Sequence, residues 1–436
     1  MLEEIKTRSV SLLRWSERYT KTDMVYLAGN GFWLALGQVG IGITALLISI
    51  AFARFIPKEV YGNYRFLLSI FWTLTAFSFT GISTVLARAI ARGEGHAYQK
   101  SLRLSLIWSM PMVLIGLSMS SYYFLNGNAM LALGSLVIAL IGPFMQTAYL
   151  YGSFLEGKQA FRDNAISGIT LNAIPALALI ASMFMVHDPV IFLLIYLSTS
   201  ALTGFVISFI VVRKHHSNPN IHTAIESKEF GILSAHFSVM NILNTVSQQV
   251  DRILVFHYLG AVQLAIYAFA TAIPEQIKTL FNSVATLALP RFVKRPLEET
   301  KKTLIYRLLG FSALAIIVIG FYILVAPLIF SVLFPAYHEA VFYSILYAIS
   351  LVAASGVVPV ALLEAHAAKR ELYIYNTVGP VFQIAVLFAF VSTMGLLGAV
   401  IARILGRFFF LILGVVLTFI YAARVQKMNS SLQIPL

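Results

Sequence analysis

The sequence predicts an all-α polytopic membrane protein with about twelve transmembrane helices in two lobes of six. The 436 residues are 59% hydrophobic and only 11% charged, and the mean hydropathy is +0.84. A soluble domain has about a quarter of its residues charged, so this composition indicates a membrane protein. Runs of roughly twenty apolar residues recur along the chain, and each can cross about 30 Å of hydrocarbon as a helix.

The apolar runs fall into two sets of six that are separated by the longest polar segment, RKHHSNPNIHTAIESKEF. The first set is predicted at 27–52, 64–86, 104–125, 129–152, 166–186 and 190–212. The second set is predicted at 231–255, 264–287, 308–328, 340–362, 374–393 and 396–422. We therefore divide the chain into an amphipathic cytoplasmic segment (1–22), an N-lobe (23–212), a cytoplasmic linker (213–230) and a C-lobe (231–436).

The N-terminal segment MLEEIKTRSVSLLRWSERYTKT has the pattern of an amphipathic helix. Leu2, Ile5 and Leu12 recur at helical spacing, and lysines and arginines largely occupy the other side. This pattern predicts a helix that lies on an anionic membrane surface. The apolar run that follows, at 24–55, is too long for the apolar region of a signal peptide, so we expect it to remain as a span.

The net charge of +13 is distributed asymmetrically along the predicted topology. Of the 31 lysines and arginines, 24 fall in the N-terminus, the even-numbered loops and the C-terminus, whereas the first loop holds Arg54, Lys58 and Arg65. Basic loops stay on the cytoplasmic side. The distribution predicts a multi-pass protein of the cell (plasma or inner) membrane with both termini in the cytoplasm. The basic cytoplasmic loops also favour contact with anionic lipids. Because the topology accounts for the positive charge, we exclude nucleic acid as a partner.

Missing motifs argue against several kinds of activity. The sequence has no cysteine, which removes thiolate metal sites and cysteine nucleophiles, and it has no Walker A motif. His215, His216 and His222 form a poor zinc site, because Glu226 is the nearby carboxylate in a solvated linker. Membrane glycosyltransferases and polymerases are the main rival class, but here the odd-numbered loops are short and no Asp-x-Asp occurs. We predict that the protein is not an enzyme and has no catalytic residue, metal or cofactor.

An internal repeat relates the two predicted lobes at an offset of 203 residues. TVLARAIAR at 84–92 corresponds to LALPRFVKR at 287–295, so two apolar segments end on the same pair of arginines. ARFIPKEVYGNYRF at 53–66 corresponds likewise to HYLGAVQLAIYAFA at 257–270. Parallel repeats related by an axis along the membrane normal are typical of transporters with a substrate site between two lobes. Gene duplication in another kind of membrane protein is the alternative.

Three features together resemble the polysaccharide-export family of lipid-linked oligosaccharide flippases. They are the basic amphipathic start, the first loop FIPKEVYGNYRF and Arg88 after the second span. This family belongs to the multidrug/oligosaccharidyl-lipid/polysaccharide exporter superfamily. The resemblance implies a two-lobed, V-shaped, alternating-access transporter for cell-surface polysaccharide such as O-antigen. It also implies an undecaprenyl-diphosphate-linked oligosaccharide, carried from the inner to the outer leaflet, and points to polysaccharide polymerases and glycosyltransferases as partners.

The repeated arginine pairs allow two interpretations. Basic residues at the cytoplasmic ends of spans anchor the topology, and this rule alone accounts for them. The alternative is that one pair from each lobe flanks the inward mouth of the transporter and gathers diphosphate headgroups. The residues concerned are Arg88, Arg92, Arg291 and Arg295.

The seventh predicted span is unusually polar. Asn241, Asn244, Gln248 and Arg252 recur at spacings of three or four and share one helical face, with Asp251 adjacent. Such a face does not point at lipid, where each unpaired polar group costs several kcal/mol. It either lines a cavity or forms hydrogen bonds between helices.

Ionisable residues also occur in the eighth and twelfth spans, where they are costly and therefore candidates for function. Glu275 and Lys278 are three residues apart and either neutralise each other or contact substrate, with Lys278 on a phosphate. Arg403 and Arg407 lie one turn apart in a span without an acidic residue. We expect them to need a counter-charge, which a diphosphate would supply to the guanidinium groups. Snorkelling to an interface is the alternative.

The sign of the expected cavity follows from its charges. Six basic residues oppose two acidic ones, which leaves +4; they are Arg54, Arg65, Arg252, Lys278, Arg403 and Arg407 against Asp251 and Glu275. A cavity of this sign favours an anionic substrate. A cation-coupled multidrug or small-molecule antiporter of the same superfamily is the second hypothesis, although the first two spans lack its expected acid. The candidate acids for ion coupling are Asp251, Glu275 and Glu364.

Overall fold

The structure is a computed structural model, and it describes residues 24–78, 80–94, 96–215, 227–294, 297–366 and 368–432. These residues form helices joined by turns, and no strand is present among them. The predicted N-terminal amphipathic helix (1–22) and most of the predicted linker (216–226) lie outside the described residues. The division into lobes at 212 and 231 therefore stays a prediction.

In the described part of the chain, nine helices precede the predicted linker, and we refer to them as the N-terminal bundle. They are α1 (Met24–Phe55), α2 (Lys58–Thr75), α3 (Gly81–Ala91), α4 (Ala97–Ile107), α5 (Met110–Leu125), α6 (Ala129–Ala148), α7 (Leu150–Gly157), α8 (Phe161–Met183) and α9 (Pro189–Lys214).

The helices that follow form the C-terminal bundle. They are α10 (Ser227–Ser247), α11 (Val250–Lys294), α12 (Leu297–Leu333), a 3₁₀ turn (Pro335–Tyr337), α13 (Ala340–Ala348), a 3₁₀ segment (Ile349–Gly356), α14 (Val357–Ala365) and α15 (Lys369–Leu432).

Two of the long helices double back on themselves at a glycine. Gly260 in α11 and Gly395 in α15 have φ of 86° and 59°, which glycine adopts without the strain of a side chain. Tyr267 reaches Asp251 with a hydrogen bond of 2.6 Å, although sixteen residues of straight helix would separate them by about 24 Å. Each of these helices therefore supplies two passes.

Each of the twelve predicted spans has a counterpart among the described helices. Nine stretches of the described chain are long and apolar enough to cross a membrane. Two of these, 241–281 and 369–426, contain the glycine reversals and count twice. The consecutive helices α2 and α3 correspond to the remaining predicted span. The prediction of an all-α polytopic protein is confirmed.

Large apolar side chains cover the outward faces of many helices. Leu202, Ile317 and Leu324 are exposed to 67%, 69% and 79% of their surface. Exposed apolar surface on this scale is a liability in water and is the normal surface of a protein in lipid. The chain is a multi-pass membrane protein.

Helices α2 and α11 hold the two bundles together. A Cβ atom on Gly62 would overlap the backbone carbonyl of Ala261, so the two helices touch backbone to backbone at this point. Further along the same contact, Phe66 stacks on Phe256 with 3.7 Å between ring centroids and 7° between ring planes. The ring of Tyr61 lies 5.0 Å from that of Phe269 and joins the aromatic clusters of the two bundles.

Polar contacts close the same end of the interface, which we call the Pro57 end. Lys58 forms an ion pair with Glu339, and its ammonium group lies 5.3 Å from the ring centroid of Tyr337. Arg54 donates to the backbone oxygen of Val332 over 2.9 Å. At the opposite end, the backbone N–H of Gly81 in α3 donates to a hydroxyl of α10.

Candidate functional site

A cavity of about 560 Å³ lies within the C-terminal bundle. Its walls come from the end of α10, both passes of α11, the 3₁₀ segment, α14 and both passes of α15. The lining combines charged, amide and aromatic side chains. It includes Asn244, Gln248, Gln249, Arg252, Glu275, Lys278, Tyr375, Gln383, Arg403, Arg407 and Phe410.

A second cavity of about 430 Å³ lies between the two bundles. It is bounded by α1, α2, α8 and α9 on one side and by α11 on the other, and its walls carry aromatic and amide groups. The two cavities share Arg252 and Glu275. Lining residues of the second cavity include Tyr61, Tyr64, Arg65, Trp72, Asn172, Tyr196, Arg252, Glu275 and Gln276.

Arg403 lies at one side of the first cavity and is bound to a buried carboxylate. Its Nε atom donates to Oδ2 of Asp251 over 2.8 Å, and Nη2 donates to the backbone oxygen of Gln248 over 3.0 Å. The same Oδ2 atom accepts from the Tyr267 hydroxyl over 2.6 Å. Asp251 is only 2% exposed, and its Oδ1 atom has no hydrogen-bond partner among the described residues. This network fixes the two passes of α11 against the second pass of α15.

Arg407, one turn further along α15, is held by a different carboxylate. Its Nη2 atom forms an ion pair with Oε1 of Glu275, and Nη1 donates to Oγ of Ser350 over 2.7 Å. The Tyr347 hydroxyl also donates to Glu275, and the ring of Tyr347 lies 4.8 Å from the Arg407 guanidinium carbon. Lys278 completes the group at 3.6 Å from Oε2 of Glu275.

These contacts correct one sequence-based expectation. Arg403 and Arg407 were expected to need a counter-charge that their own span does not supply, and a diphosphate was the partner considered. The structure supplies carboxylates, since the reversal at Gly260 places Asp251 and Glu275 of α11 beside the second pass of α15. Snorkelling is also absent, because the two side chains are only 13% and 11% exposed. The alternative that Glu275 and Lys278 neutralise each other holds in part, because Arg407 shares the same carboxylate.

The charge of the two cavities remains positive after this correction. Among the described residues, five basic side chains and one acidic side chain line them: Arg65, Arg252, Lys278, Arg403 and Arg407 against Glu275. Counting the buried Asp251 as well leaves five positive against two negative groups, an excess of +3. Arg54 is not counted in the cavity charge, because it is exposed at the Pro57 end and donates to a backbone oxygen.

The structure places the other predicted residues in different positions. Gln248 lines the first cavity, whereas Asn241 is half-buried on α10 and does not contribute to the lining of either cavity. Glu364 is exposed on α14 and is also outside both linings. Arg88 and Arg92 are exposed at the end of α3. Arg291 lies in the last turn of α11, and its side chain and Arg295 are outside the described residues.

Of the histidines considered for a zinc site, only His215 lies in the described part of the chain. His215 lies 2.7 Å from Oδ2 of Asp163 through Nε2, and Lys214 binds the other oxygen of that carboxylate. His216, His222 and Glu226 lie outside the described residues. Among the described residues, no group of three potential metal ligands is present.

Several residues of the site were not identified from the sequence. Tyr267, Tyr347 and Ser350 position the charged groups, and Gln383 lines the first cavity. Gln383 donates to the backbone oxygen of Ala402 over 3.4 Å. Hydroxyl and amide side chains are too common on apolar spans for the sequence to single out these residues. They could have been identified only if the partners that they bind on distant segments had been known.

Fold and site together define a multi-pass membrane protein with a positively charged internal cavity. The family model described as "Polysaccharide biosynthesis protein" matches residues 27–296, which is 270 of the 436 residues. The chain belongs to this family. No sequence among the curated proteins matches it.

Solved structures of the MOP superfamily share the fold. One is a MOP superfamily transporter from Pyrococcus furiosus, which is described as having a binding pocket of reverse polarity. It has a TM-score of 0.66 and is 16% identical, and the match covers 92% of this chain and 96% of that chain. An outward-facing multidrug resistance MATE transporter has a TM-score of 0.63 and 16% identity over 91% of this chain and 96% of that one. The lipid II flippase MurJ has a TM-score of 0.60 and is 15% identical, and the match covers 92% of this chain and 87% of the MurJ chain. The predicted fold class and family resemblance are confirmed.

Proposed function

We propose that the chain is a flippase, and not an enzyme, for undecaprenyl-diphosphate-linked oligosaccharide. It moves this lipid from the inner to the outer leaflet of the cell membrane during the biosynthesis of cell-surface polysaccharide. Membership of the polysaccharide biosynthesis protein family supports the pathway. A structural neighbour described as a lipid II flippase supports the kind of substrate. The two bundles alternate by exposing the cavities to one side of the membrane at a time.

The excess of basic groups in the two cavities is the observation that carries this proposal. Charged side chains within a membrane protein are expensive and are retained for function. Lys278, Arg403 and Arg407 converge on one cavity. Among the described residues, two carboxylates, Asp251 and Glu275, form ion pairs with them. A diphosphate competes with Glu275 for Arg407 and Lys278, because guanidinium groups bind phosphate oxygens in bidentate fashion.

The remaining cavity walls suit a sugar. Gln248 and Gln383 of the first cavity offer amide donors and acceptors for hydroxyl groups, and Tyr375 and Phe410 offer aromatic faces. Between the bundles, Trp72 and several tyrosines extend the aromatic surface. An oligosaccharide presents both hydroxyl groups and apolar ring faces, so walls of this mixed character match it.

Direction follows from the proposed topology, in which both termini and the Arg88 end face the cytoplasm. An inside-negative potential favours outward movement of an anion by about 2.3 kcal/mol per charge per 100 mV. Arg88 and Arg92, with Arg291 and Arg295, would collect headgroups at the cytoplasmic mouth. Anionic lipids, polysaccharide polymerases and glycosyltransferases are the partners expected from this position in the membrane.

The second candidate is a cation-coupled multidrug or small-molecule antiporter. The similarity of the fold to MATE transporters and the presence of Asp251 and Glu275 at the site favour it. These two acids would couple transport to a cation, whereas Glu364 lies outside both cavities. A cationic drug would have to enter a cavity with a positive excess, which is why we prefer the flippase.

Deletion of the gene and complementation test the proposal. We expect the deletion strain to lose surface polysaccharide and to accumulate the lipid-linked intermediate, and the wild-type chain to reverse both effects. Arg407→Gln should fail to complement, whereas Arg370→Gln, which changes an exposed arginine of α15, should succeed. Unchanged surface polysaccharide in the deletion strain, together with new sensitivity to cationic drugs, would establish the antiporter instead.

A further inference from the structure

We propose that Arg65 of α2 and Arg252 of α11 form a clamp that holds an anionic group of the substrate between the two bundles. The group is a phosphate or a sugar carboxylate. This inference rests on the proposed function in one respect, namely that the substrate carries negative charge. It pairs two arginines that the sequence analysis counted separately among the cavity charges, because Arg65 was assigned to the first loop and Arg252 to the seventh span.

Arg65 lies on helix α2 and faces the cavity between the bundles. Helix α2 begins at Lys58, so Arg65 is in its second turn and about 10 Å along the helix. The side chain is half-buried and lines the cavity between the bundles. Its Nε atom is buried and has no hydrogen-bond partner among the described residues, and its guanidinium carbon lies 6.0 Å from the ring of Tyr61.

Arg252 faces the same cavity from the other bundle. It belongs to the linings of both cavities and therefore lies where they meet. Nη1 donates to Oε1 of Gln249 over 2.6 Å, but Nε is buried and has no partner among the described residues. One arginine from each bundle thus presents a buried donor that the described residues leave unsatisfied.

The nearby carboxylates form their hydrogen bonds and ion pairs with other groups, and Oδ1 of Asp251 has no partner among the described residues. Asp251 binds Arg403 and Tyr267 through Oδ2. Glu275 binds Arg407 and Tyr347 through Oε1 and faces Lys278 through Oε2. In the described structure, neither acid forms an ion pair with Arg65 or Arg252. These two arginines therefore differ from Arg403 and Arg407, for which a carboxylate already supplies the counter-charge.

An anion satisfies this arrangement better than any group the described residues offer. An uncompensated guanidinium group within the membrane is costly, and an anion that accepts bidentate hydrogen bonds removes that cost. An anion shared by α2 and α11 also bridges the two bundles. Occupancy of the clamp therefore favours the arrangement in which the bundles are in contact, which links substrate binding to the state of the transporter.

Binding measurements on the purified full chain test the clamp. The probes are inorganic pyrophosphate and D-glucuronate, which separate the phosphate source from the sugar carboxylate source. The test variants are Arg65→Gln, Arg252→Gln and the double variant. Arg65→Lys keeps the positive charge but removes the planar guanidinium group, and Arg370→Gln, at an exposed position, is the control. Thermal unfolding without ligand shows that each variant is folded.

We expect the wild type and Arg370→Gln to bind one of the two probes with equal affinity. Arg65→Gln and Arg252→Gln should each weaken that binding by at least about tenfold, with Arg65→Lys intermediate. The double variant should lose little more than a single variant, because the removal of either guanidinium already breaks the bridge. The preferred probe identifies the anionic group.

Three results would overturn the clamp: binding of neither probe by the wild type, unchanged binding in both glutamine variants, or loss of binding in Arg407→Gln alone. The last result would move the anion to Arg407 and leave the flippase proposal in place. The flippase proposal fails separately if the clamp binds anions as expected but the wild-type chain does not restore surface polysaccharide in the deletion strain.

Discussion

Arg403 donates from Nε to Oδ2 of Asp251 over 2.8 Å, across 152 residues of sequence. Asp251 is 2% exposed and Arg403 is 13% exposed, so the pair is removed from bulk solvent. Tyr267 donates to the same oxygen, which makes this contact the junction of both passes of α11 and the second pass of α15. Its first role is therefore to hold the cavity wall in place.

Removing one member of this pair should destabilise the protein more than removing both. Breaking a buried pair leaves an uncompensated charge and costs about 3–5 kcal/mol, whereas the removal of both charges costs less. We expect Asp251→Ala to lower the unfolding temperature in detergent more than Asp251→Ala combined with Arg403→Ala. A double variant that is less stable than either single variant would contradict this role.

Arg407 should affect transport more than stability. Its pair with Glu275 lies in the cavity wall, where Glu275 is 32% exposed and an anionic substrate can compete for the arginine. Arg424 on the same helix provides a matched control, because it pairs with the buried Glu371 over 2.8 Å outside both cavities.

We expect Arg407→Gln to abolish surface polysaccharide at normal membrane levels of the protein. Arg424→Gln should retain export, even though it also loses an ion pair. Measurement of surface polysaccharide and of protein in isolated membranes checks both. Normal export by Arg407→Gln would remove this residue from the substrate site.

Gly62 should be sensitive to the smallest possible substitution. A Cβ atom at this position overlaps the Ala261 carbonyl, so Gly62→Ala forces α2 and α11 apart. Overpacking of this kind costs about 1–3 kcal/mol. Gly310→Ala is the control, because its Cβ meets no atom within 4 Å and alanine is the better helix former.

Thermal unfolding and export distinguish the two glycine variants. Gly62→Ala should unfold at a lower temperature and export less, and Gly310→Ala should match or exceed the wild type in stability. Equal behaviour of the two variants would show that the backbone contact of the bundles is not required.

Lys58 and Glu339 should separate during transport. Their ion pair joins the bundles at the Pro57 end, and the proposed cycle must open that end to release the oligosaccharide. The chain has no cysteine, so Lys58→Cys with Glu339→Cys introduces the only two thiols. A reducible bifunctional thiol reagent should block export in the double variant and leave both single variants active.

Reduction of the cross-link should restore export. Retention of full export while the cross-link is intact would show that this end of the interface does not open.

The sequence was sufficient for the helices and for the charged residues, but not for their partners. Apolar runs and their polar interruptions placed twelve spans, and the reversals at Gly260 and Gly395 fall between predicted spans. Arg403 and Arg407 were identified because charge is rare in a span. Their carboxylate partners were not, because Asp251 and Glu275 are 152 and 132 residues away and only tertiary packing brings them near.

Arg65 illustrates a second kind of error. Hydropathy began the second span at residue 64, and Arg65 was assigned to the first loop, whereas α2 begins at Lys58. The polar residues from 58 to 65 lie on a helix because one face contacts the other bundle, which hydropathy alone does not register. Tyr61, which is only 5% exposed, belongs to that contact through the ring of Phe269.

A flipping assay in proteoliposomes measures directly whether the chain moves a lipid-linked oligosaccharide across a membrane. The purified chain is reconstituted with a fluorescent undecaprenyl-diphosphate-linked oligosaccharide, and a membrane-impermeant reagent measures how much of the lipid becomes accessible. We expect the wild-type chain to accelerate this movement and Arg407→Gln not to do so. We also expect the wild-type chain to move no cationic dye. Movement of the dye without movement of the glycolipid would contradict it.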